Sequence, residues 1–373
     1  MPAALVSSPI YRQTGYRGNH PLAIPRIGTV EALCAALGWT GPRHPVTDSP
    51  MADRATLERF HTPAYLDAIQ AAESRGRATE AERDRHNLGT LENPVFPGLW
   101  QRAATSVGGS ILAAELAHRD GLAFHPAGGT HHGMPDRASG FCFLNDPVFA
   151  IQRLLDLGRR RIVHVDFDAH HGDGVELAFA ADPRVMTIST HEAGRWPFTG
   201  QLSDRAQGRA RNLPLPPATN DSEFARVVEA AVLPLARGFH PDAVVVTMGA
   251  DALAGDPLSS LALSNAALWR AVEQVVALAP ASVVLGGGGY NPWTLGRAWA
   301  GMWARLTGQP IPKTLPPAAQ AVLAALDCDL VEEEDRDPLW LTTIRDAPRP
   351  GPIRPEIEAI IAAHRDSVAA QEV

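Results

Sequence analysis

The fold is decided by the stretch RIVHVDFDAHHGDGVE, residues 161–176. It begins as an apolar β-type run and ends in aspartates and histidines set among glycines. Residues two apart point the same way in an extended chain, so Asp168 and His170 can present a carboxylate oxygen and an imidazole nitrogen to one point. Because open α/β sheets place their sites at the carboxyl ends of strands, this stretch predicts a metal site rather than an ordinary turn.

The same alternation of strand and helix continues from residue 122 onward. Apolar β-type runs lie at residues 122–125, 161–167, 185–189, 243–248 and 282–285. Helix-type runs lie at residues 147–157, 175–181, 222–237, 265–278 and 292–306. Continuous apolar strands separated by helices are typical of parallel strands buried on both faces. We therefore predict an α/β protein with a single open, mostly parallel β-sheet flanked by helices, in which the loops that follow the strands share one edge.

Composition limits the class of protein, its partners and its location. The 373 residues carry a net charge of -8 and are 45% hydrophobic, which suits a large core and argues against a nucleic-acid surface. The acidic balance weakly suits cationic substrates. The three cysteines are far apart, and neither a leader pattern nor a membrane-length apolar run is visible, so we expect no membrane partner and a cytoplasmic location. A proline-rich, then acidic, segment over residues 311–373 is expected to pack on, or trail from, a main domain of residues 1–310.

The metal site needs a third ligand. A catalytic zinc ion takes three protein ligands and keeps one position open. Asp168 and His170 supply two, and Asp251, which follows another apolar run, is the best-placed third. Asp256 is the alternative, although its position before Pro257 suits a turn-forming role.

Two further groups of residues fit hydrolytic chemistry. The adjacent His131 and His132 lie in a glycine-flanked loop, and Asp166 and Asp173 are the two carboxylates left over to orient them. Four glycines precede Tyr290, whose phenol suits a donor to a developing oxyanion. The structural alternatives are that the histidines only have their hydrogen bonds satisfied in the core, that the tyrosine only packs against its neighbours, and that the acids only form turns.

Other classes of protein stay open at this point but are disfavoured. The glycine run lacks the lysine of a phosphate-binding loop. A binuclear manganese ureohydrolase would need a further carboxylate at position 172, which is Gly172, and an Asp-x-Asp pair after Asp251, which is followed by Ala252 and Leu253. A non-haem iron oxygenase would use two histidines and one carboxylate. A catalytically idle acyl-lysine binding module would not need every reactive position to be filled.

Several of these motifs, in this order, resemble the zinc-dependent histone deacetylase family in its class I-like bacterial branch. The motifs are GGTHHG (128–133), SGFCFLND (139–146), DFDAHHGDGV (166–175), GADALAGDP (249–257) and GGGGYN (286–291). That branch includes histone deacetylase-like and acetoin-utilisation proteins, and the acetylpolyamine amidohydrolases are its cousins. The resemblance covers about residues 10 to 310. It implies the arginase/deacetylase fold and a deacetylase domain over residues 1–310.

The resemblance also implies roles for the reactive residues. The implied zinc ligands are Asp168, His170 and Asp251, with ferrous iron as the alternative metal. His131 and His132 would be held by Asp166 and Asp173 respectively. His132 would act as general base and then general acid, His131 would give electrostatic help, and Tyr290 would polarise the amide carbonyl.

Further residues are implied around this centre. The residues implied to contact the substrate are Glu92, Gly140, Phe141, Trp196 and Leu258. The residues implied to hold a structural potassium or sodium ion are Asp166, Asp168, His170, Ser189 and Thr190. Arg26 matches an arginine near the departing acetate. The chain departs from the family at Glu92, where an aspartate is common, at Trp196, where a smaller phenylalanine is expected, and at Thr130.

The expected function is thus zinc-dependent removal of acetyl or acyl groups from lysine side chains or related amines by metal-activated water. The alternatives are deacetylation of an acetylpolyamine or a small metabolite and, remotely, manganese ureohydrolysis. The expected partner is an acetylated amine, on a protein, peptide or polyamine. The sequence leaves homo-oligomerisation and acyl-chain preference open.

Overall fold

A computed structural model of the chain describes residues 3–12, 15–42 and 44–364. The strands are β1 (Ala3–Ser7), β2 (Val46–Asp48), β3 (Leu122–His125), β4 (Ile162–Asp166), β5 (Val185–Glu192), β6 (Ala210–Leu215), β7 (Ala243–Thr247) and β8 (Ser282–Leu285). Within these described residues they form one eight-stranded sheet in the order β2-β1-β3-β8-β7-β4-β5-β6, and every pairing is parallel. The predicted fold class is confirmed. The edge strands β2 and β6 were not predicted.

Helices cover both faces of the sheet. They are α1 (Arg26–Ala36), α2 (Arg54–Leu57), α3 (Pro63–Arg75), α4 (Glu80–His86), α5 (Leu99–Asp120), α6 (Asp146–Asp156), α7 (Asp173–Phe179), α8 (Asp221–Val227), α9 (Leu233–Gly238), α10 (Asn265–Val276), α11 (Pro292–Thr307), α12 (Pro317–Ala324) and α13 (Pro355–Ala362). A π-helical turn, Val228–Val232, joins α8 to α9, so the predicted helix over residues 222–237 is continuous but irregular.

The strands form because their side chains are apolar on both faces. Val163 and Val165 of β4 join the core that α1 and α8 to α11 cover, whereas Ile162 joins the core beneath α5 to α7. Burial on both sides explains why these strands show continuous rather than alternating hydrophobicity. These buried strands form the centre of the sheet, and the polar residues that follow their carboxyl ends are available to form a site.

The extension packs on the same core. Ile357 and Ile361 of α13 are buried in the larger apolar cluster, and Arg354 donates from Nε to Glu223 Oε1 at 2.6 Å. The proposed boundary between residues 310 and 311 stays a prediction, and residues 365–373 of the predicted extension lie outside the described residues. In the described ranges, the structure contains no helix that is both long and apolar enough to cross a membrane.

Candidate active site

The polar loops after β3, β4, β7 and β8 converge at one edge of the sheet. All four strands are parallel and adjacent in the sheet, so their carboxyl ends lie side by side. Residues far apart in the chain therefore meet at this edge, as the sequence predicted.

A buried group of three potential metal ligands lies there. Ligand atoms of Asp168, His170 and Asp251 all lie within 4.8 Å of one another. His170 Nδ1 is 3.2 Å from Asp168 Oδ1 and 3.0 Å from Asp251 Oδ2. β4 ends at Asp166, so Asp168 and His170 converge in bends after the strand and not along an extended chain. The expected convergence is observed, but the expected backbone conformation was wrong.

Backbone amides fix the orientation of both carboxylates. Gly288 N donates to Asp168 Oδ2 at 2.6 Å, and Ala169 N donates to Asp251 Oδ1 at 3.0 Å. Each carboxylate therefore keeps its other oxygen for the shared point near His170. Two carboxylates and one imidazole, all buried, make a donor set of the kind that a zinc ion takes.

Charge in this group is unbalanced without a cation. Burial and repulsion from Asp168 raise the pKa of Asp251 to about 6. Burial lowers the pKa of His170, but the two carboxylates outweigh burial and raise that pKa to about 10. The site thus favours a positive charge at its centre, which a bound metal ion would supply.

Asp256, the alternative third ligand, does something else. Its Oδ2 accepts from Tyr290 N at 2.7 Å, and its Oδ1 accepts from Leu258 N at 2.9 Å. Its carboxylate is therefore occupied in holding two segments of the site in place. Asp251, rather than Asp256, lies in the group of potential metal ligands.

The paired histidines are held as expected. His131 Nδ1 lies 2.7 Å from Asp166 Oδ2, and His132 Nδ1 lies 2.8 Å from Asp173 Oδ1. Burial lowers the pKa of His131, but Asp166 and Asp168 outweigh burial and raise that pKa to about 9. Burial and the charge on His131 lower the pKa of His132 to about 4. His132 is therefore the neutral member of the pair, the one with an unprotonated ring nitrogen available to accept a proton.

Two residues that sequence reasoning missed hold the histidine loop. Asp146 accepts from Gly129 N at 3.0 Å with Oδ2 and from Thr130 N at 2.8 Å with Oδ1. Asn145 Nδ2 donates to the carbonyl of His131 at 3.1 Å. Both residues close the motif at 139–146, so their presence was visible, but their partners were not.

Tyr290 faces the same space. Its ring centre is 6.4 Å from that of His170 and 5.7 Å from that of Phe141. Burial and the charge on Asp251 raise the pKa of Tyr290 well above its ordinary value, so the phenol stays protonated as a donor. A Cβ at Gly288 would lie 2.0 Å from Asp251 Oδ2, which explains why the backbone before Tyr290 is glycine.

A cavity of about 690 Å³ opens from this centre to the surface. The residues expected to contact substrate all line it: Glu92, Gly140, Phe141, Trp196 and Leu258. The Trp196 ring lies 4.7 Å from that of His132, and a Cβ at Gly140 would lie 2.4 Å from Trp196. The Glu92 carboxylate is turned inward, where Oε1 accepts from Gly140 N at 2.6 Å.

Three of the expected monovalent-cation residues, Asp166, Ser189 and Thr190, lie together on β4 and β5. Asp166 pairs with Ser189 in the sheet register, and Thr190 Oγ1 donates to the Asp166 carbonyl at 3.4 Å. Ser189 Oγ is 2.9 Å from His191 Nδ1. Their role as a cation site stays a prediction.

Gly172 leaves no room for a second metal ligand. A Cβ there would lie 2.3 Å from Asp166 Oδ2. The carboxylate that a binuclear ureohydrolase would need at this position is therefore sterically excluded, as well as absent from the sequence.

The chain is similar to known proteins over most of its length. The model of the histone deacetylase domain matches residues 20–306. The acetoin utilization protein AcuC of Bacillus subtilis is 34% identical over 334 residues, which cover 84% of each chain. Histone deacetylase 8 of Xenopus tropicalis is 33% identical over 299 residues, which cover 78% of this chain and 80% of that one. The crystal structure of a histone deacetylase homologue from Aquifex aeolicus matches 96% of this chain and 98% of its own, with a TM-score of 0.90 and 33% identity.

Proposed function

The chain belongs to the histone deacetylase family, and from this premise we propose that it hydrolyses the acetyl amides of lysine side chains or related amines through one bound metal ion. The observation that carries this proposal is the convergence of Asp168, His170 and Asp251 within 4.8 Å, beside the two carboxylate-held histidines. One related solved structure is a histone deacetylase homologue complexed with SAHA, which supports a ligand site of the same kind here.

The three ligands would hold zinc, with ferrous iron as the alternative. When bound, such an ion supplies Lewis-acid polarisation of the amide carbonyl and lowers the pKa of the attacking water. The backbone donors to Asp168 and Asp251 would keep the donor atoms in place between turnovers. A potassium or sodium ion at the residues around Asp166 and Ser189 would have a structural role.

Proton transfer would be carried by His132. Its Nδ1 is engaged by Asp173, so Nε2 is the nitrogen that can accept a proton from water and return it to the leaving amine. Its lowered pKa keeps it unprotonated before the reaction. His131, held by Asp166, would stay cationic and stabilise the negative charge that develops nearby.

Tyr290 would stabilise the acyl oxygen. Its protonated phenol can donate a hydrogen bond to the carbonyl as negative charge develops, which typically contributes about 10²–10³ in kcat. Gly140, Phe141 and Trp196 would enclose the methylene chain of the amine. The Arg26 guanidinium is stacked 4.9 Å from the centre of the buried Trp299 ring, and it would meet the departing acetate.

The amine that carries the acetyl group is the open part of the proposal. A protein or peptide lysine, an acetylpolyamine and a small metabolite share the same reacting bond. The similarity to an acetoin utilization protein supports the metabolite, and the similarity to histone deacetylase 8 supports the lysine side chain.

The test is turnover of a capped acetyl-lysine by zinc-loaded protein, with metal content per chain measured in parallel. Wild type should carry one tightly bound divalent ion and release acetate. Tyr290→Phe and His132→Ala should retain the metal and lose most activity, whereas the exposed His118→Ala should match wild type. Native rates in Tyr290→Phe or His132→Ala would refute the assigned roles, and two metal ions per chain would favour a ureohydrolase.

A further inference from the structure

Two charged residues at the mouth of the cavity have no part in the proposed chemistry. Glu192, at the end of β5, and Arg195 both line the cavity. They form a two-point ion pair in which Arg195 Nε is 2.5 Å from Glu192 Oε2 and Nη2 is 2.9 Å from Oε1. The Glu192 side chain is only 4% exposed and that of Arg195 is 29% exposed, so solvent screens this pair less than a surface pair.

The pair also joins two loops across the mouth. Ser260 N donates to Glu192 Oε2 at 2.8 Å, and Arg195 Nη1 donates to the Leu258 carbonyl at 2.9 Å. The loop that carries Trp196 is thereby tied to the loop that carries Leu258. Burial alone would raise the pKa of Glu192, but Arg195 and Ser260 N lower it below the ordinary value. The carboxylate is thus charged, and its charge is already neutralised.

The other carboxylate at the mouth, that of Glu92, is held by two neutral donors. Glu92 directs Oε1 to Gly140 N at 2.6 Å and Oε2 to Asn87 Nδ2 at 2.8 Å. Two large apolar side chains lie outermost: Phe198, which lines the cavity and is 67% exposed, and Leu91, which adjoins Glu92 and is 96% exposed. Among the described residues that line the cavity, both glutamates already accept hydrogen bonds with both oxygens.

Chemistry distinguishes the substrates at this position. In a peptide acetyl-lysine, four methylenes lead from the amide nitrogen to an uncharged backbone. In an acetylated diamine of the same spacing, four methylenes lead to an ammonium group. On the Glu192 side of the mouth, that ammonium would lose hydration beside a carboxylate that is already paired and a guanidinium of like charge, so Glu192 would not compensate it.

We propose that the Glu192–Arg195 pair is a specificity determinant: Arg195 cancels the Glu192 charge and so disfavours acetylated diamines and polyamines relative to acetyl-lysine in a neutral peptide setting. This inference rests on the proposed deacetylase function. It assigns the substrate class that the net charge of -8 leaves open, because the charge at the mouth, rather than the total charge, faces the substrate.

The test uses three small substrates of one length. N-(4-aminobutyl)acetamide, N-pentylacetamide and 5-acetamidopentanoate place a cation, no charge and an anion at the end of the same four-methylene chain. A capped, neutral acetyl-lysine serves as the peptide-like reference. For the zinc-loaded wild type, kcat/KM should be highest for the capped acetyl-lysine, and N-pentylacetamide should exceed 5-acetamidopentanoate.

Opposite charge preferences are expected when the pair is broken from either side. Arg195→Met leaves the Glu192 charge unpaired and should raise the ratio of kcat/KM for the cationic over the neutral analogue by about two- to fivefold, the size of one partly exposed ion pair. Glu192→Gln should raise the ratio for the anionic analogue by a similar factor. Arg305→Met, which breaks the remote Arg305–Glu273 pair, is the matched control and should change neither ratio.

A role in loop stability alone would change all three substrates in the same direction. Unchanged ratios in both variants, or a wild type that prefers the cationic analogue to the capped acetyl-lysine, would overturn this inference while the deacetylase proposal stands. A zinc-loaded wild type that hydrolyses none of the substrates would overturn both.

Discussion

Replacing Asp166 by asparagine should slow hydrolysis far more than replacing Asp173 by asparagine, although each carboxylate holds one of the paired histidines. The expected difference in rate comes from how many oxygens of each carboxylate accept a hydrogen bond. Asp173 accepts from His132 Nδ1 at 2.8 Å and from Gly174 N at 3.0 Å, both with Oδ1. An asparagine can turn its one amide oxygen to this position and keep both hydrogen bonds.

The loss in Asp173→Asn is therefore mainly that of charge. A hydrogen bond to a charged group contributes about 1.5–3 kcal/mol and a neutral one about 1 kcal/mol. The difference of about 1–1.5 kcal/mol corresponds to about a tenfold decrease in kcat. His132 would keep its orientation, so KM should change little.

Asp166 uses both oxygens. Oδ2 accepts from His131 Nδ1 at 2.7 Å, and Oδ1 accepts from Asp168 N at 3.1 Å. In Asp166→Asn, the amide NH₂ must face one of these donors. An unsatisfied buried donor costs about 1–3 kcal/mol in addition to the lost charge, which predicts a decrease of about 10²–10³ in kcat.

The assay is steady-state hydrolysis of capped acetyl-lysine by zinc-loaded proteins. Metal content is measured for each variant because Asp168 is a neighbour of Asp166, and Asp120→Asn, at an exposed pair with Arg119, is the control substitution. Comparable losses in the two variants at full metal content, or a larger loss in Asp173→Asn, would show that the number of engaged oxygens does not govern these roles.

Three further outcomes are expected. Asp251→Asn should lower metal content per chain at limiting zinc, as measured by elemental analysis, because one of two anionic ligands is lost; full retention would contradict its role. Gly140→Ala should reduce kcat/KM by about 10²-fold, because the new Cβ would lie 2.4 Å from Trp196 and displace its ring. An unchanged kcat/KM would show that the cavity adapts to the added methyl group. Burial lowers the pKa of His61 from 6.5 to about 4. As the pH decreases from 6.5 to 4, His61 becomes protonated in the unfolded chain before it does so in the folded chain, so the free energy of unfolding decreases. His61→Gln should flatten the pH dependence of the urea-unfolding free energy by up to about 1.4 kcal/mol per pH unit in this window, and an unchanged slope would refute the assignment.

The strands that the sequence predicted are those whose own apolar residues are enough to indicate that they are buried. β3 and β8 occur within their predicted bounds because continuous apolar runs fit only the centre of this sheet. β6 was missed because Arg211, Asn212 and Pro214 interrupt its apolar pattern. It forms at an edge, where pairing with β5 supplies its hydrogen bonds from one side. Edge strands depend on their neighbours more than on their own hydrophobicity.

The candidate reactive side chains could be selected from the sequence because catalysis restricts their chemical type, whereas the groups that hold them could not. Asp168, Asp251 and Asp256 are each fixed by backbone N–H groups of Gly288, Ala169 and other residues distant in sequence. A backbone amide is the same whatever the residue type, so these hydrogen bonds are not marked by any sequence motif. What the sequence does record is the space these amides need: glycine where a Cβ would strike a carboxylate. The glycine runs are therefore the sequence trace of a site in which the backbone holds buried carboxylates, and substitutions at those glycines are expected to displace the carboxylates that we propose as metal ligands.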